Sequence, residues 1–162
     1  MIACTLTLDA DGEISRAVAD FVGALSMHAG LTPKQTYRLR LAVDEIATNV
    51  AIHGYGDDGW GVMDLEGGMD ADNVWVRIED DAPAFDPRSH DAAPRPASDP
   101  TEREVGGWGL FLAQSNVDEF RYDRVGGRNR NTLIIRRAAP PGDGADYTEG
   151  EVDARDVGTG RR

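Results

Sequence analysis

Hydrophobic and polar residues alternate over the first positions of the chain, which is the pattern of a half-buried strand. Residues 2–8 are predicted to form this strand, and the turn residues of 9–12 end it. A helix is predicted from about Glu13 to Ala29, because apolar residues recur there at helical spacing and Gly30 is a suitable C-terminal stop. The chain therefore begins with a strand and a helix.

A second helix has a well-specified start. Thr32 is a favourable N-cap, Pro33 suits the first turn, and Gln35 stands three residues after the cap, as a capping box requires. This helix is predicted to end near His53 and Gly54, where glycines and aspartates indicate a turn.

The second helix is apolar over most of residues 39–52, except for one stripe formed by Asp44, Glu45, Thr48 and Asn49. Glu45 and Asn49 are one helical turn apart and share a face. Burying them without partners would cost roughly 1–3 kcal/mol for the amide and more for the charge. Either a polar partner covers the stripe or the stripe is a solvated edge of an amphipathic helix, and this segment alone is compatible with both.

The remaining elements continue the pattern. Strands are predicted near 61–66 and 74–79, joined by a turn over residues 67–73. A Pro-rich loop follows at 87–106. After it come a helix near 108–116 and strands near 119–124 and 132–137, which Gly126 and Gly127 join. This order favours an α+β fold, a two-layer α/β sandwich whose mixed, mostly antiparallel sheet carries helices on one face. Residues 1–138 are predicted to form this domain and residues 139–162 an acidic, Pro- and Gly-rich mobile tail.

Composition narrows the class of protein. With 162 residues, 40% of them hydrophobic, the chain can build one domain with a real core. A formal net charge of −12 argues against nucleic acid as a partner, and no apolar run is long enough to span a membrane. Cys4 is the only cysteine and no leader segment is apparent, so a reducing cytoplasm is expected.

Two further motifs could carry chemistry. Asp80 stands at a predicted strand end, where its side chain can face a pocket, although Asp81 or Asp86 in the same acidic segment could simply cap a turn. Glycines at 106, 107 and 109 open the next helix, where backbone N–H groups can approach an anion, although a plain loop-to-helix turn is equally common. Each motif alone is weakly specific.

Taken in order, the three motifs resemble the N, G1 and G2 boxes of the GHKL superfamily of histidine-kinase-like ATPases: EIATN on a long helix, DDAPAFD after a strand, and GGWGL opening a helix. The phrases VDEIATNVAIHGYG, FDP, GGWGLFLAQ and NTLIIRR are similar to those of the small anti-sigma-factor serine/threonine protein kinases. The resemblance covers about residues 2–137. It implies a Bergerat-type fold and an ATP-dependent phosphotransferase with Mg²⁺, which phosphorylates a STAS-domain anti-sigma antagonist and regulates a sigma factor.

The resemblance also assigns roles to residues. Asn49 would ligate Mg²⁺ through its amide oxygen, and Glu45 would orient or deprotonate the attacking hydroxyl. Asp80 would accept the exocyclic N–H of adenine, and residues 87–106 would form the ATP lid. The implied cofactor-binding residues are Asn49, Asp80, Ala82, Ala84, Phe85, Gly106, Gly107, Gly109, Leu110 and Thr132. His53 could line the same pocket, or merely pack against or cap its helix.

The chain departs from the family pattern in the G1 box, which usually reads Asp-x-Gly-x-Gly. Ala82 and Ala84 occupy the glycine positions, and a Cβ costs ~1–2 kcal/mol wherever the backbone must be left-handed. Pro83 also favours extended geometry at Ala82, so we expect weaker nucleotide affinity. A non-catalytic module that binds nucleotide or only a protein partner is therefore the alternative hypothesis.

A metal-dependent hydrolase built from His28, His53 and His90 has little support, because these histidines lie on separate predicted elements without ligand spacing. Related small kinases often dimerise, so a homodimer is possible. Nucleic acid and membrane are not expected as partners.

Overall fold

A computed structural model describes residues 1–55, 60–89 and 107–137 of the chain. Its strands and α-helices follow the predicted order: β1 (Ile2–Asp9), α1 (Ile14–Ala29), α2 (Pro33–Asn49), β2 (Val62–Met69), β3 (Asn73–Asp80), α3 (Gly107–Asn116), β4 (Glu119–Val125) and β5 (Arg128–Arg136). The predicted turn at 56–59, most of the predicted lid and the predicted tail lie outside the described residues. None of the described helices has the length and apolarity needed to cross a lipid bilayer.

The strands form a five-stranded sheet in the order β1-β2-β3-β5-β4. Every described pairing is antiparallel, so the α+β class is confirmed while the mixed sheet is corrected. The reason is topological. Helices α1 and α2 return the chain to the end of the sheet where β1 finished, so β2 runs antiparallel to β1. The strand pairs β2–β3 and β4–β5 are joined as hairpins, and β3 is connected to β5 through α3 and β4.

The helices cover one face of the sheet. On β3, the residues Val74, Val76 and Ile78 are fully buried, and they alternate with half-buried residues that point to the opposite face. The buried residues pack with Leu25 of α1 and Ile46 of α2 in one hydrophobic cluster. The predicted two-layer sandwich is therefore confirmed.

Local signals at the helix ends act as predicted. Thr32 Oγ1 accepts a hydrogen bond from the Gln35 amide at 3.3 Å, and the Gln35 side chain accepts one from the Thr32 amide at 2.9 Å. Gly30 ends α1 in the left-handed conformation. The second helix reaches Gly54 as predicted, but its last residues, Val50–Gly54, form a π-helical turn.

Two strand boundaries differ from the prediction. Gly67 lies inside β2, paired with Val76, and not in a turn. Glycine suits this position because a Cβ there would meet Cys4 Sγ at 2.8 Å and Leu25 Cδ2 at 2.9 Å. The turn begins at Asp70, whose carboxylate accepts hydrogen bonds from the amides of residues 72 and 73. Strand β5 begins at Arg128, earlier than predicted, and this extension supplies a residue of the candidate site.

Candidate functional site

Asp80 is the last residue of β3 and points to the helix-covered face, where it is 1% exposed. Its Oδ1 atom accepts hydrogen bonds from Asn129 Nδ2 at 2.8 Å and from the Ala82 amide at 3.1 Å. Its Oδ2 atom is buried and has no hydrogen-bond partner among the described residues. Burial raises the pKa of Asp80. An unpaired buried acceptor is uncommon and fits a site that receives a donor from a ligand.

Glu45 and Gly109 bring the N box and the G2 box together. A Cβ built at Gly109 would overlap Glu45 Oε2 and would lie 3.4 Å from Glu45 Cδ, so the carboxylate of α2 sits directly against the first turn of α3. Burial raises the pKa of Glu45, and the neighbouring charge of Asp44 raises it further. The structure thus places a weakened acid beside a helix N-terminus.

Asn49 lies one turn beyond Glu45 at the end of α2 and is half-buried. Its carboxamide oxygen is a hard donor of the kind that Mg²⁺ accepts beside water and phosphate oxygens. Among residues 1–55, 60–89 and 107–137, no three His, Cys, Asp or Glu side chains are grouped to hold a metal ion. Asn49 could therefore supply one oxygen donor to Mg²⁺, whose other ligands would be water and phosphate oxygens.

The three histidines do not form a ligand set in the part of the chain that the structure describes. His28 belongs to α1, and His53 is exposed in the π-helical turn beyond Asn49. His90 lies outside the described residues. Because the side chain of His53 is exposed, it does not belong to the buried groups of the site.

The end of the second helix also contacts the G1 turn. A Cβ at Gly54 would lie 2.9 Å from the Ala82 Cβ, so a glycine at 54 leaves room for the methyl group at 82. Tyr55 donates a hydrogen bond to the Val62 carbonyl at 2.5 Å and accepts one from the Asp81 amide at 3.1 Å. These contacts join the N box to the G1 box.

The backbone of the G1 turn does not require glycine. No described residue other than glycine has a positive φ, so Ala82 and Ala84 do not adopt the left-handed conformation in which a Cβ would be costly. Ala82 is buried, Ala84 is exposed, and Phe85 is 37% exposed. Asp86 accepts a hydrogen bond from the Arg88 amide at 2.9 Å and so caps the 3₁₀ turn that follows.

The remaining predicted residues of the G2 box divide between the described and undescribed parts. Gly107 is the first residue of α3, and Leu110 is 2% exposed in the hydrophobic core beneath that helix. Gly106 lies outside the described residues, as do residues 90–105 of the predicted lid. Leu110 therefore packs α3 against the core, and Gly107 lies at the N-terminus of that helix.

Thr132 is not brought to the site. It pairs with Arg77 of β3 and Arg121 of β4, and all three point to the face of the sheet opposite the helices. The helix-facing positions of β5 are instead the odd-numbered ones, which include the buried Asn129 and Asn131. Asn129 contacts Asp80 and was missed from the sequence, because its role depends on the register between β3 and β5.

Comparisons with known proteins agree with this geometry. The family model "Histidine kinase-like ATPase domain" matches residues 8–137. The chain is 28% identical to the serine-protein kinase RsbW of Bacillus subtilis over 109 residues, which are 65% of this chain and 68% of that protein. It is 26% identical to the anti-sigma F factor of Clostridium novyi over 121 residues, which are 75% of this chain and 80% of that protein.

A solved structure supports the fold. The crystal structure of the RsbU and RsbW domains of a Mycobacterium tuberculosis protein superposes with a TM-score of 0.57 at 21% identity. The match covers 85% of this chain but 34% of that longer chain, and at this identity it supports the architecture alone. The resemblance inferred from the three boxes is confirmed, and the chain belongs to the histidine kinase-like ATPase family.

Proposed function

We propose that this chain is an ATP-dependent serine/threonine protein kinase of the anti-sigma-factor type. It would act in the cytoplasm, phosphorylate a STAS-domain anti-sigma antagonist, and bind a sigma factor. The relatives that are named serine-protein kinase and anti-sigma factor support this class. The observation that carries the proposal is that α2 and the turn after it contact both other boxes: Glu45 lies against Gly109 of α3, and Gly54 lies against Ala82, two residues after Asp80.

Asp80 would select the base. Its free Oδ2 atom can accept the exocyclic N–H of adenine, whereas guanine presents a carbonyl oxygen at the equivalent position and would leave two acceptors facing each other. The cost of that mismatch gives a preference for ATP over GTP. Gly107 and Gly109, in the first turn of α3, can present backbone N–H groups to the phosphates at the positive end of the helix dipole.

Asn49 would hold Mg²⁺ through its carboxamide oxygen, and the bound ion would neutralise charge on the phosphates. Glu45, one turn earlier, would accept a hydrogen bond from the serine or threonine hydroxyl of the substrate and orient it for attack. Its raised pKa brings the carboxylate closer to the range in which it can also take the proton.

The proposal is tested by phosphate transfer from ATP to candidate STAS domains. Glu45→Gln should abolish transfer while leaving ADP affinity within about threefold, because the substitution keeps the size of a side chain that does not contact the base. Glu13→Gln, at an exposed position before α1, is the matched control and should behave like wild type. If no STAS domain is phosphorylated and Glu45→Gln is indistinguishable from wild type, the kinase proposal is wrong.

A non-catalytic nucleotide- or partner-binding module is the second candidate. It is motivated by the departure of Ala82 and Ala84 from the family's glycines, although their backbone is not left-handed. It predicts that a sigma factor or STAS partner binds equally well to wild type and to Glu45→Gln, with no phosphate transfer by either protein. Partner affinity with and without Mg-ATP distinguishes a nucleotide-dependent switch from a simple binding module.

A further inference from the structure

Asn129 is a buried residue whose side-chain hydrogen-bonding groups are all engaged. It is 3% exposed on the helix-facing side of β5, directly opposite Asp80. Its Nδ2 atom donates to Asp80 Oδ1 at 2.8 Å and to the carbonyl oxygens of Ala82 and Pro83, each at 3.1 Å. One amide group thus contacts both the base-selecting carboxylate and the turn that follows it.

The other end of the same carboxamide receives only donors. Asn129 Oδ1 accepts hydrogen bonds from Tyr122 Oη and Arg124 Nη1, both at 2.8 Å, and from the Phe85 amide at 3.4 Å. Turning the amide over would place its oxygen against a carboxylate and two carbonyls. The position therefore requires a side chain with donors at one end and an acceptor at the other, which an aspartate of the same shape cannot supply.

The consequence for Asp80 is specific. Because the amide of Asn129 and the backbone of Ala82 both bond to Oδ1, the carboxylate is held with Oδ2 lacking a partner among the residues that the structure describes. The same amide also donates hydrogen bonds to the carbonyls of Ala82 and Pro83, in the turn that has alanines where the family pattern has glycines. Asn129 thus fixes both the direction of the acceptor and the shape of the loop beside it.

We propose that Asn129 is a positioning residue for nucleotide recognition, which orients Asp80 for adenine and holds the G1 turn in place. This inference rests on the proposed adenine nucleotide site and adds a residue outside the three boxes. It predicts that base selectivity depends on a side chain that need not touch the nucleotide.

The test is Asn129→Asp in the full chain, with Mg-ADP and Mg-GDP affinities measured by calorimetry. The variant replaces the donor with an acceptor facing Asp80, so ADP affinity should fall about tenfold or more, the scale expected for a lost hydrogen bond to a charged group. Affinity for GDP should change less, so the ADP-over-GDP ratio should fall. Asn116→Asp is the matched control, because Asn116 donates to the Leu112 carbonyl at the far end of α3.

A milder variant guards against failure to fold. Tyr122→Phe removes one donor to Asn129 Oδ1 and keeps the ring, so it should lower the ADP-over-GDP ratio by a smaller factor at an unchanged melting temperature. An unchanged ratio in both variants would overturn the inference, even if Asn129→Asp were less stable. If wild type bound no ADP, the proposed function would fail as well, whereas normal binding by wild type with unchanged variants refutes the role of Asn129 alone.

Discussion

Replacing Asp80 with asparagine should stabilise the ligand-free protein while abolishing adenine nucleotide binding. The carboxylate is 1% exposed and carries one oxygen without a partner among the described residues. Asparagine keeps the shape and the Oδ1 acceptor that Asn129 and the Ala82 amide use, but it removes the buried charge. It also presents an N–H₂ group where adenine needs an acceptor.

The size and pH dependence of the stabilisation follow from burial. An unsatisfied buried polar group costs about 1–3 kcal/mol and a charged one more, and the asparagine still leaves a neutral amide unpaired, so the net gain should be about 1–2 kcal/mol. For a chain of this length that corresponds to about 2–8 °C in melting temperature. Because burial raises the pKa of Asp80 above its ordinary value, wild type loses stability as the pH rises from that value through the folded-state pKa. The advantage of the variant should therefore be larger at pH 8 than at pH 4.

The assay combines thermal unfolding of ligand-free wild type and Asp80→Asn at pH 4 and pH 8 with calorimetric titration of Mg-ADP. A variant that melts below wild type at pH 8 would show that the buried charge is compensated by interactions absent from this account. A variant that binds ADP as tightly as wild type would show that Asp80 does not read the base.

Three further substitutions test neighbouring contacts, and a fourth, Gly23→Ala, is a control away from them. Gly109→Ala places a methyl group against the Glu45 carboxylate and should lower phosphate transfer about tenfold or more in steady-state assays. Gly23→Ala, whose Cβ meets open space in α1, should instead raise the free energy of unfolding in urea by about 0.5–1 kcal/mol. Asp44→Asn removes a charge that raises the pKa of Glu45, so the acid limb of the kcat/KM profile should move to lower pH, and an unmoved limb would contradict this. Arg128→Met removes the cation shared by the carboxylates of Asp64, Glu79 and Asp81 and should lower the free energy of unfolding by about 1–3 kcal/mol. Urea unfolding should show a smaller loss of stability in high salt, and a loss independent of salt would count against the electrostatic explanation.

Features set by neighbouring residues were predictable from the sequence. The capping box of Thr32 and Gln35 and the glycine hairpin between β4 and β5 both appear where expected, because each depends on contacts within a few residues. The pair of Glu45 and Asn49 was predictable for the same reason, since helical spacing alone puts them on one face. The position of Asp80 at a predicted strand end likewise indicated that its side chain could face a pocket.

Features set by distant contacts were not predictable. Gly67 looks like a turn residue, yet it lies in β2, where the lack of a Cβ leaves room for the side chains of Cys4 and Leu25. Thr132 was assigned to the site without knowledge of strand register, and alternation along β5 places it on the far face of the sheet. Asn129 gains its role only from lying opposite Asp80, a pairing that links residues far apart along the chain.

The same alternation explains how the end of β3 is held. Successive side chains of a strand point to opposite faces, so Arg128 bonds to Asp81 at 3.0 Å on the exposed face while Asn129 bonds to Asp80 at 2.8 Å on the buried face. The outer contact is partly exposed and open to salt screening, whereas the inner one is shielded. Loss of Arg128 should therefore change stability and its salt dependence, and loss of Asn129 should change base selectivity. If Arg128→Met also changed base selectivity, the two faces of the strand end would have to move as one coupled unit.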